Sequence, residues 1–151
     1  QSGVDLITIE DPASDVNQLL SRLQASAKAG NAVVGIRTTS RDGSTPDPLH
    51  ASQMLALIID LAVECADSMQ FDGIYASGGD VAFAVLDALG ARRYEVETEV
   101  VPLAVSGKLV GGPHDGLGFA TKGGLVGDVD AAVERINQLR SRIRHSKPQI
   151  V

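Results

Sequence analysis

The sequence predicts a single α/β domain with three layers, α/β/α, around a largely parallel, mixed sheet. Across residues 4–89, short apolar segments alternate three times with helical patterns, which is typical of right-handed βαβ units. Beyond residue 89 the pattern changes to extended segments with turn signals, which predicts a hairpin and makes the sheet mixed. A length of 151 residues is that of one compact domain, so we predict no boundary inside the chain.

The first strand is predicted at residues 4–10, a short, β-branched and apolar run that indicates a buried strand. Asp11 or Ser14 is expected to cap the helix that follows. Apolar side chains recur along that helix at helical spacing and form one face: Val16, Leu19, Leu20, Leu23 and Ala27. Gly30 and the asparagine after it predict its end.

The second strand is predicted at residues 32–38 and is followed by a polar stretch at 39–52. Two prolines and a glycine in that stretch indicate a loop. A long helix is expected over residues 51–69, with an apolar stripe formed by Met54, Leu57, Ile58, Leu61 and Cys65. A methionine and a cysteine on such a stripe indicate core packing rather than ligands.

The third strand is predicted at residues 73–77 and the next helix at 80–89, with Val81, Val85, Leu86 and Leu89 facing inward. The extended region after it carries turn signals at Pro102 and at Ser106-Gly107. A further short strand precedes the sequence TKGGLVGD, and a last amphipathic helix is predicted at 129–143. Basic residues at its end complement the helix dipole, and we favour this interpretation over nucleic-acid or membrane binding.

The composition argues against several classes of function. A net charge of −6, an aromatic content of 3% and the absence of tryptophan are unlike a nucleic-acid-binding protein. No uninterrupted apolar run approaches about 18 residues, so we predict no membrane span. The single cysteine, Cys65, excludes an internal disulfide, which fits a cytoplasmic location.

Two glycine-rich turns each follow a strand and precede a helix: Ser77-Gly78-Gly79-Asp80, and TKGGLVGD at residues 121–128. Glycines let a ligand approach the backbone, and a helix start presents unpaired N–H groups that suit a phosphate. Because the carboxyl ends of parallel strands converge at one edge of a sheet, the two turns are expected to form one anion site, with Lys122 adding a charge. Asp80 either caps its helix or faces a metal or a ribose hydroxyl. The alternative is that each turn is only a tight turn.

Other chemical motifs are sparse. The glycine turns fit neither the Walker pattern nor the dinucleotide G-x-G-x-x-G spacing. The three histidines, His50, His114 and His145, lack the spacing of metal ligands, and no nucleophile–histidine–acid set is visible. We therefore assign no catalytic residue and no metal ligand, and the chain looks like a binding half without its catalytic partner.

Three segments, GIYASGGDVAFAVLDALGA, EVETEVVPL and LGFATKGGLVGDVDAAVERI, occur in an order and spacing that is similar to a known family. They resemble the C-terminal nucleotide-binding domain of the four-carbon acid sugar kinases, over about residues 72–139. The resemblance implies an ATP-dependent kinase that phosphorylates a hydroxyl of a tetronate or 3-oxo-tetronate acid, with Mg as the accompanying ion. It also implies which residues line the phosphate side of the nucleotide: Gly78, Gly79, Asp80, Val81, Lys122, Gly123 and Gly124.

In that family a separate N-terminal domain holds the acid sugar. The resemblance, together with a first residue that is Gln1 rather than methionine, leads us to expect a C-terminal fragment of a longer two-domain kinase, inactive by itself. The family's Gly-Ser-x-Ser segment would lie just before residue 1. We expect ATP and, through the other domain, a sugar acid as partners, and leave a homodimer open.

The sequence departs from the family pattern at three positions. Leu103 replaces the glycine of a Pro-Gly-Val-Pro turn, Val81 replaces a threonine, and Val126 replaces a phenylalanine. The lost glycine and hydroxyl favour an alternative function, in which the chain is a non-catalytic α/β domain for ligand sensing or interaction.

Overall fold

The computed structural model describes residues 3–39, 47–101 and 104–123. Within these ranges the chain forms three helices and six strands. It divides into two compact units, Gln1–Met69 and Gln70–Val151.

The first unit contains two strands and two helices in alternation: β1 (Val4–Ile9), α1 (Val16–Lys28), β2 (Val33–Thr38) and α2 (Pro48–Ser68). β1 and β2 pair in parallel, from Val4 opposite Val33 to Ile9 opposite Thr38. The predicted strand–helix–strand order is therefore present in this unit, with strand bounds within one residue of those expected.

α1 begins one residue after Asp15, whose carboxylate accepts a hydrogen bond from the Gln18 backbone N–H at 2.8 Å. The prediction that Asp11 or Ser14 caps this helix is wrong. The Asp11 carboxylate accepts from the Ala13 N–H at 2.8 Å, and the Ser14 hydroxyl donates to the Asp11 carbonyl at 2.6 Å. Both side chains therefore stabilise the turn before the helix, because they lie too early in the chain to reach its first orphan N–H groups.

α2 begins three residues earlier than predicted. Asp47 is its N-cap and accepts from the His50 backbone N–H at 2.9 Å, and Pro48 occupies the first helical turn. A proline has no backbone N–H, but at a helix start that N–H would have no partner within the helix. Pro48, which suggested a loop in the sequence, therefore begins the helix.

The core of the first unit joins one face of the sheet to both helices through Ile7, Ile9, Leu19, Leu23, Met54, Leu57 and Leu61. The predicted stripe of α2 is confirmed, with Ile58 and Cys65 packed against this cluster. β1 is buried on one face only. Val4 and Leu6 are 64% and 50% exposed, so the prediction of a buried strand is wrong for that face.

α2 is long and apolar enough to cross a membrane by length and composition alone, with a mean hydropathy of 1.4 over its most apolar 18 residues. The sequence prediction missed this because it counted only uninterrupted apolar runs, and Asp60 and Glu64 interrupt this one. One such helix is weak support for a membrane span, since a core helix of a soluble protein passes the same test of length and composition.

The second unit contains five elements: β3 (Gly73–Ser77), α3 (Gly79–Ala88), β4 (Arg93–Val101), β5 (Ala104–Val110) and β6 (Gly118–Lys122). The strand order is β3-β6-β5-β4, with β3 and β6 parallel and the other neighbours antiparallel. The predicted hairpin is present between β4 and β5. The prediction of a turn at Ser106-Gly107 is wrong, because both residues lie inside β5.

Gly107 lies inside a strand, and the neighbouring strand's backbone approaches it too closely for a residue with a side chain. A Cβ at this position would lie 1.9 Å from the Glu95 carbonyl oxygen. The pairing of β4 with β5 shifts register just beyond, between Val96 and Thr98. A glycine in a strand interior often marks such an irregularity, which the sequence alone does not separate from a turn.

The core of the second unit is formed by Ala76, Ala82, Val85, Leu89, Leu109, Phe119 and Ala120. Tyr94 packs edge-on against Phe119, with ring centroids 5.7 Å apart, and its hydroxyl donates to the Phe119 carbonyl at 3.0 Å. Of the four residues predicted to face inward from α3, two are buried and Val81 and Leu86 are half-buried.

The mixed α/β class is confirmed by these strand pairings. The described strands form a two-stranded and a four-stranded sheet. The helix predicted at 129–143 and the second part of the TKGGLVGD turn lie outside the described residues.

Candidate functional site

The two glycine-rich turns begin at the same edge of the second unit's sheet. β3 and β6 are parallel neighbours, and their last paired residues are Ser77 and Lys122. Directly beyond this pair, the Gly78 backbone N–H donates to the Lys122 carbonyl at 2.9 Å. The structure thus places the start of the first turn beside the start of the second, as the convergence of parallel strands led us to expect.

Gly78 has a backbone conformation that requires glycine. Its φ of +100° is strained for any residue with a side chain, although the nearest atom to an added Cβ, the Val81 Cγ2, would be 3.8 Å away. Its carbonyl accepts the first hydrogen bond of α3, from the Ala82 N–H at 2.9 Å. The chain therefore turns sharply from strand into helix at this single residue.

α3 has no side-chain cap. Gly78 is its N-cap residue, and no side chain in the described part of the chain accepts a hydrogen bond there. The option that Asp80 caps the helix is therefore wrong, since Asp80 lies within the first helical turn rather than before it. The first N–H groups of the helix, at Gly79, Asp80 and Val81, have no intrahelical acceptor and carry the positive end of the helix dipole.

The described residues leave space around this helix start. Gly79 is exposed, and a Cβ added there would meet none of their atoms within 4 Å. The site can therefore admit an anion against the backbone without a steric conflict, which is the arrangement that binds phosphate at helix starts.

An acidic and a basic residue lie next to the helix start along the backbone, Asp80 in the first turn of α3 and Lys122 at the end of β6. Asp80 is exposed in the first turn of α3 and opposes the positive end of the helix dipole. Lys122 is half-buried at the end of β6 and is followed by Gly123, also half-buried. Gly124, the remaining predicted site residue, lies outside the described residues.

The described residues offer little else for catalysis. No group of three or more His, Cys, Asp or Glu that could hold a metal ion occurs among them. Burial, and secondarily the charge of Glu64, raise the pKa of the Cys65 thiol to about 11. Cys65 is therefore protonated near neutral pH and is a poor nucleophile.

Phe83 is a residue that the sequence analysis did not single out. It lies one helical turn after Gly79 on α3 and is 74% exposed. Its exposure could have been predicted from the sequence, because Phe83 is a large apolar residue that falls outside the inward spacing of that helix.

Comparison with known proteins places this site in context. A family described as a nucleotide-binding C-terminal domain matches residues 4–132, a stretch that runs through both units. The D-erythronate kinase of Heliobacterium modesticaldum is 39% identical over 127 residues, covering 74% of this chain and 28% of the relative. The D-threonate kinase of Salmonella typhimurium is 37% identical over 76 residues, covering 50% of this chain and 17% of the relative.

Solved structures share the fold. A domain of unknown function from Bordetella bronchiseptica, crystallised with citrate as a domain-swapped dimer, superposes with a TM-score of 0.75 at 25% identity. The match covers 93% of this chain and 36% of that one. A Haemophilus influenzae protein superposes with a TM-score of 0.72 at 16% identity over 90% of this chain and 34% of its own length. The chain thus spans about a third or less of the length of these relatives.

Proposed function

The chain belongs to the nucleotide-binding C-terminal domain family, and we propose that it is the ATP-binding domain of a kinase for four-carbon acid sugars. The kinase would phosphorylate a hydroxyl of a tetronate or 3-oxo-tetronate acid. The similarity to a D-erythronate kinase and a D-threonate kinase supports this substrate class.

The observation that carries the proposal is the hydrogen bond from the Gly78 N–H to the Lys122 carbonyl. It holds the start of α3, which no described side chain caps, beside the backbone of Lys122 at the end of β6. Phosphoryl transfer depends mainly on positioning and on neutralising charge, and these are the functions that such a site can supply.

Each predicted residue has a role under this proposal. The N–H groups of Gly79, Asp80 and Val81 would bind phosphate oxygens, and Gly78 would give the turn its shape. Lys122 would add a positive charge, with Gly123 and Gly124 continuing the second wall. Mg bound with ATP would neutralise phosphate charge, and Asp80 is the residue we expect to face it.

The substrate and the catalytic base belong to another part of the protein under this proposal. The chain spans 28% of the length of the D-erythronate kinase it matches, which leaves room for a second domain in such a protein. We propose that an N-terminal domain holds the acid sugar and that the 151-residue chain alone does not turn over.

A second candidate is a non-catalytic domain that senses a ligand or binds a partner. Val81 favours the non-catalytic domain, because it has an aliphatic side chain where the pattern of the acid sugar kinases has a threonine hydroxyl. Acid-sugar-dependent ATP hydrolysis by the full-length protein separates the two. Turnover of a tetronate supports the kinase, whereas nucleotide binding without turnover of any four-carbon acid supports the sensor.

The first experiment is thermal unfolding with and without millimolar Mg-ATP, on the chain and on the full-length protein. A ligand that binds only the native state raises the melting temperature. We expect a rise that the Gly79→Asp variant loses. If neither protein shows a rise, the glycine turn is only a turn and the proposed function is wrong.

A further inference from the structure

A groove of about 390 Å³ in the first unit runs along one side of β1. Four consecutive strand residues, 5–8, line it on one side. Successive side chains of a strand point to opposite faces of the sheet, so consecutive residues can border a single groove only along the strand's edge. The groove therefore lies at the edge of β1 that faces away from β2.

The backbone of β1 presents hydrogen-bonding groups to this groove. The carbonyls of Gly3 and Ile9 accept from the N–H groups of Val33 and Thr39, at 3.3 and 3.1 Å, so these two residues face β2. In a parallel pair alternate residues face the partner, so Val4, Leu6 and Thr8 direct their N–H and C=O groups to the other edge. Within the described residues, β1 pairs with β2 alone.

This edge has fewer of the features that protect edge strands from pairing than the edge strand of the other sheet has. β4, at the edge of the other sheet, alternates charged residues and has two register shifts, and both features discourage further pairing. β1 instead presents Val4 and Leu6, which are 64% and 50% exposed, and contains no lysine or proline. Its one charged residue, Asp5, accepts a hydrogen bond from the Ser26 hydroxyl. An edge of this kind favours the addition of a strand.

The opposite wall of the groove is one face of α1 and its C-cap residue, formed by Arg22, Ala25, Ser26 and Ala29. Most of these side chains are small, so a backbone can lie close to the helix. The buried polar groups at this wall already have partners. The Ser26 hydroxyl donates to Asp5 Oδ2 at 2.5 Å and accepts from Asn31 Nδ2 at 2.9 Å. The groups at this groove that lack a strand partner within the described residues are therefore backbone N–H and C=O groups of β1, not the Ser26 side chain.

We propose that this edge of β1 receives a further β-strand from a part of the same polypeptide outside the 151 residues. The proposal rests on the proposed function in one respect, that the chain is part of a longer kinase. Relatives carry most of their length outside the matched stretch, and the chain spans 28% of the D-erythronate kinase. The added strand would place alternate N–H and C=O groups against Val4, Leu6 and Thr8, and short side chains against Ala25 and Ala29. It would turn a marginal two-stranded sheet into a three-stranded one.

Hydrogen exchange tests the proposal on two proteins, the 151-residue chain and the polypeptide that its natural gene encodes. We expect the amides of Val4, Leu6 and Thr8 to exchange at least about tenfold more slowly in the natural polypeptide. The outward amides of β4 serve as the internal control and should not change. Equal exchange of the β1 amides in the two proteins overturns the proposal. The proposal is also overturned if the natural gene encodes no residues beyond these 151.

A matched pair of variants identifies the occupant. Leu6→Lys and Val96→Lys each place a charge on a strand residue that is about half exposed, at 50% and 52%, so both should fold. In the natural polypeptide only Leu6→Lys should restore fast exchange of β1. Slow exchange that already occurs in the 151-residue chain and is lost on dilution would mean that a second copy fills the edge, which also overturns the proposal.

The test is independent of nucleotide binding. A Mg-ATP-induced rise in melting temperature with unchanged β1 exchange contradicts this inference alone. Slower β1 exchange without any effect of Mg-ATP contradicts only the proposed nucleotide site.

Discussion

Replacement of Gly79 by aspartate separates a ligand effect from a folding effect, because the two are expected to have opposite signs. No atom of the described residues lies within 4 Å of an added Cβ at this position, so the substitution should have no steric cost against them. A carboxylate in the first turn of α3 interacts favourably with the helix dipole, by about 0.3–1 kcal/mol. The variant without nucleotide should therefore be as stable as the wild type or slightly more stable.

The effect of nucleotide should be the reverse. A ligand at 100 times its Kd stabilises the native state by about 2.7 kcal/mol. For a protein of this size, each kcal/mol corresponds to roughly 2–4 °C in melting temperature, so the wild type should gain roughly 5–11 °C. In Gly79→Asp the added carboxylate lies at the helix start and repels phosphate, so this gain should disappear.

Differential scanning fluorimetry at several Mg-ATP concentrations measures both effects. Gly79→Asn is the matched control, since it has nearly the same shape without the charge and should keep more of the nucleotide-induced rise than Gly79→Asp. Gly78→Ala is the contrasting variant. Its positive φ should cost roughly 1–3 kcal/mol of stability even without nucleotide. A Gly79→Asp protein that retains the full nucleotide-induced rise would refute the assignment of phosphate to this helix start.

Three further predictions concern other residues. Asp15→Ala removes the cap of α1 and should lower the free energy of unfolding by about 0.5–2 kcal/mol in urea titrations, more than Asp11→Ala does; equal losses would contradict the assigned cap. Ser106 is 1% exposed and its hydroxyl has no hydrogen-bond partner within residues 3–39, 47–101 and 104–123, so Ser106→Ala should leave stability unchanged or raise it by up to about 1 kcal/mol. A clear loss would indicate a partner for that hydroxyl. The pKa of Cys65, raised to about 11, predicts slow alkylation of the native thiol at pH 8, with a rate that rises towards pH 11. Because the native thiol holds its proton more tightly than the unfolded one, stability should fall above pH 9, and unchanged stability from pH 9 to 11 would contradict the assignment.

The sequence predicted where individual helices and strands lie along the chain better than it predicted which strands pair with one another. The bounds of β3 and α3 were predicted within a residue, because two adjacent glycines separate a short strand-like segment from a helical pattern. The start of α2 was missed because Pro48 is compatible both with a loop and with a first helical turn. Ser106-Gly107 was mistaken for a turn because the contact that requires glycine, the Glu95 carbonyl, comes from another strand.

Strand pairing depends on contacts that periodicity does not record. Apolar spacing shows which face of a strand is buried, but not which strand lies beside it. The last strand, β6, pairs between β3 and β5, and this insertion is what places Lys122 beside Gly78. If β6 paired instead with the outer edge of β4, the two glycine turns would follow strands at opposite edges of the sheet. The candidate site is therefore a consequence of strand order, and a change that moves β6 should abolish it while leaving every site residue in the chain.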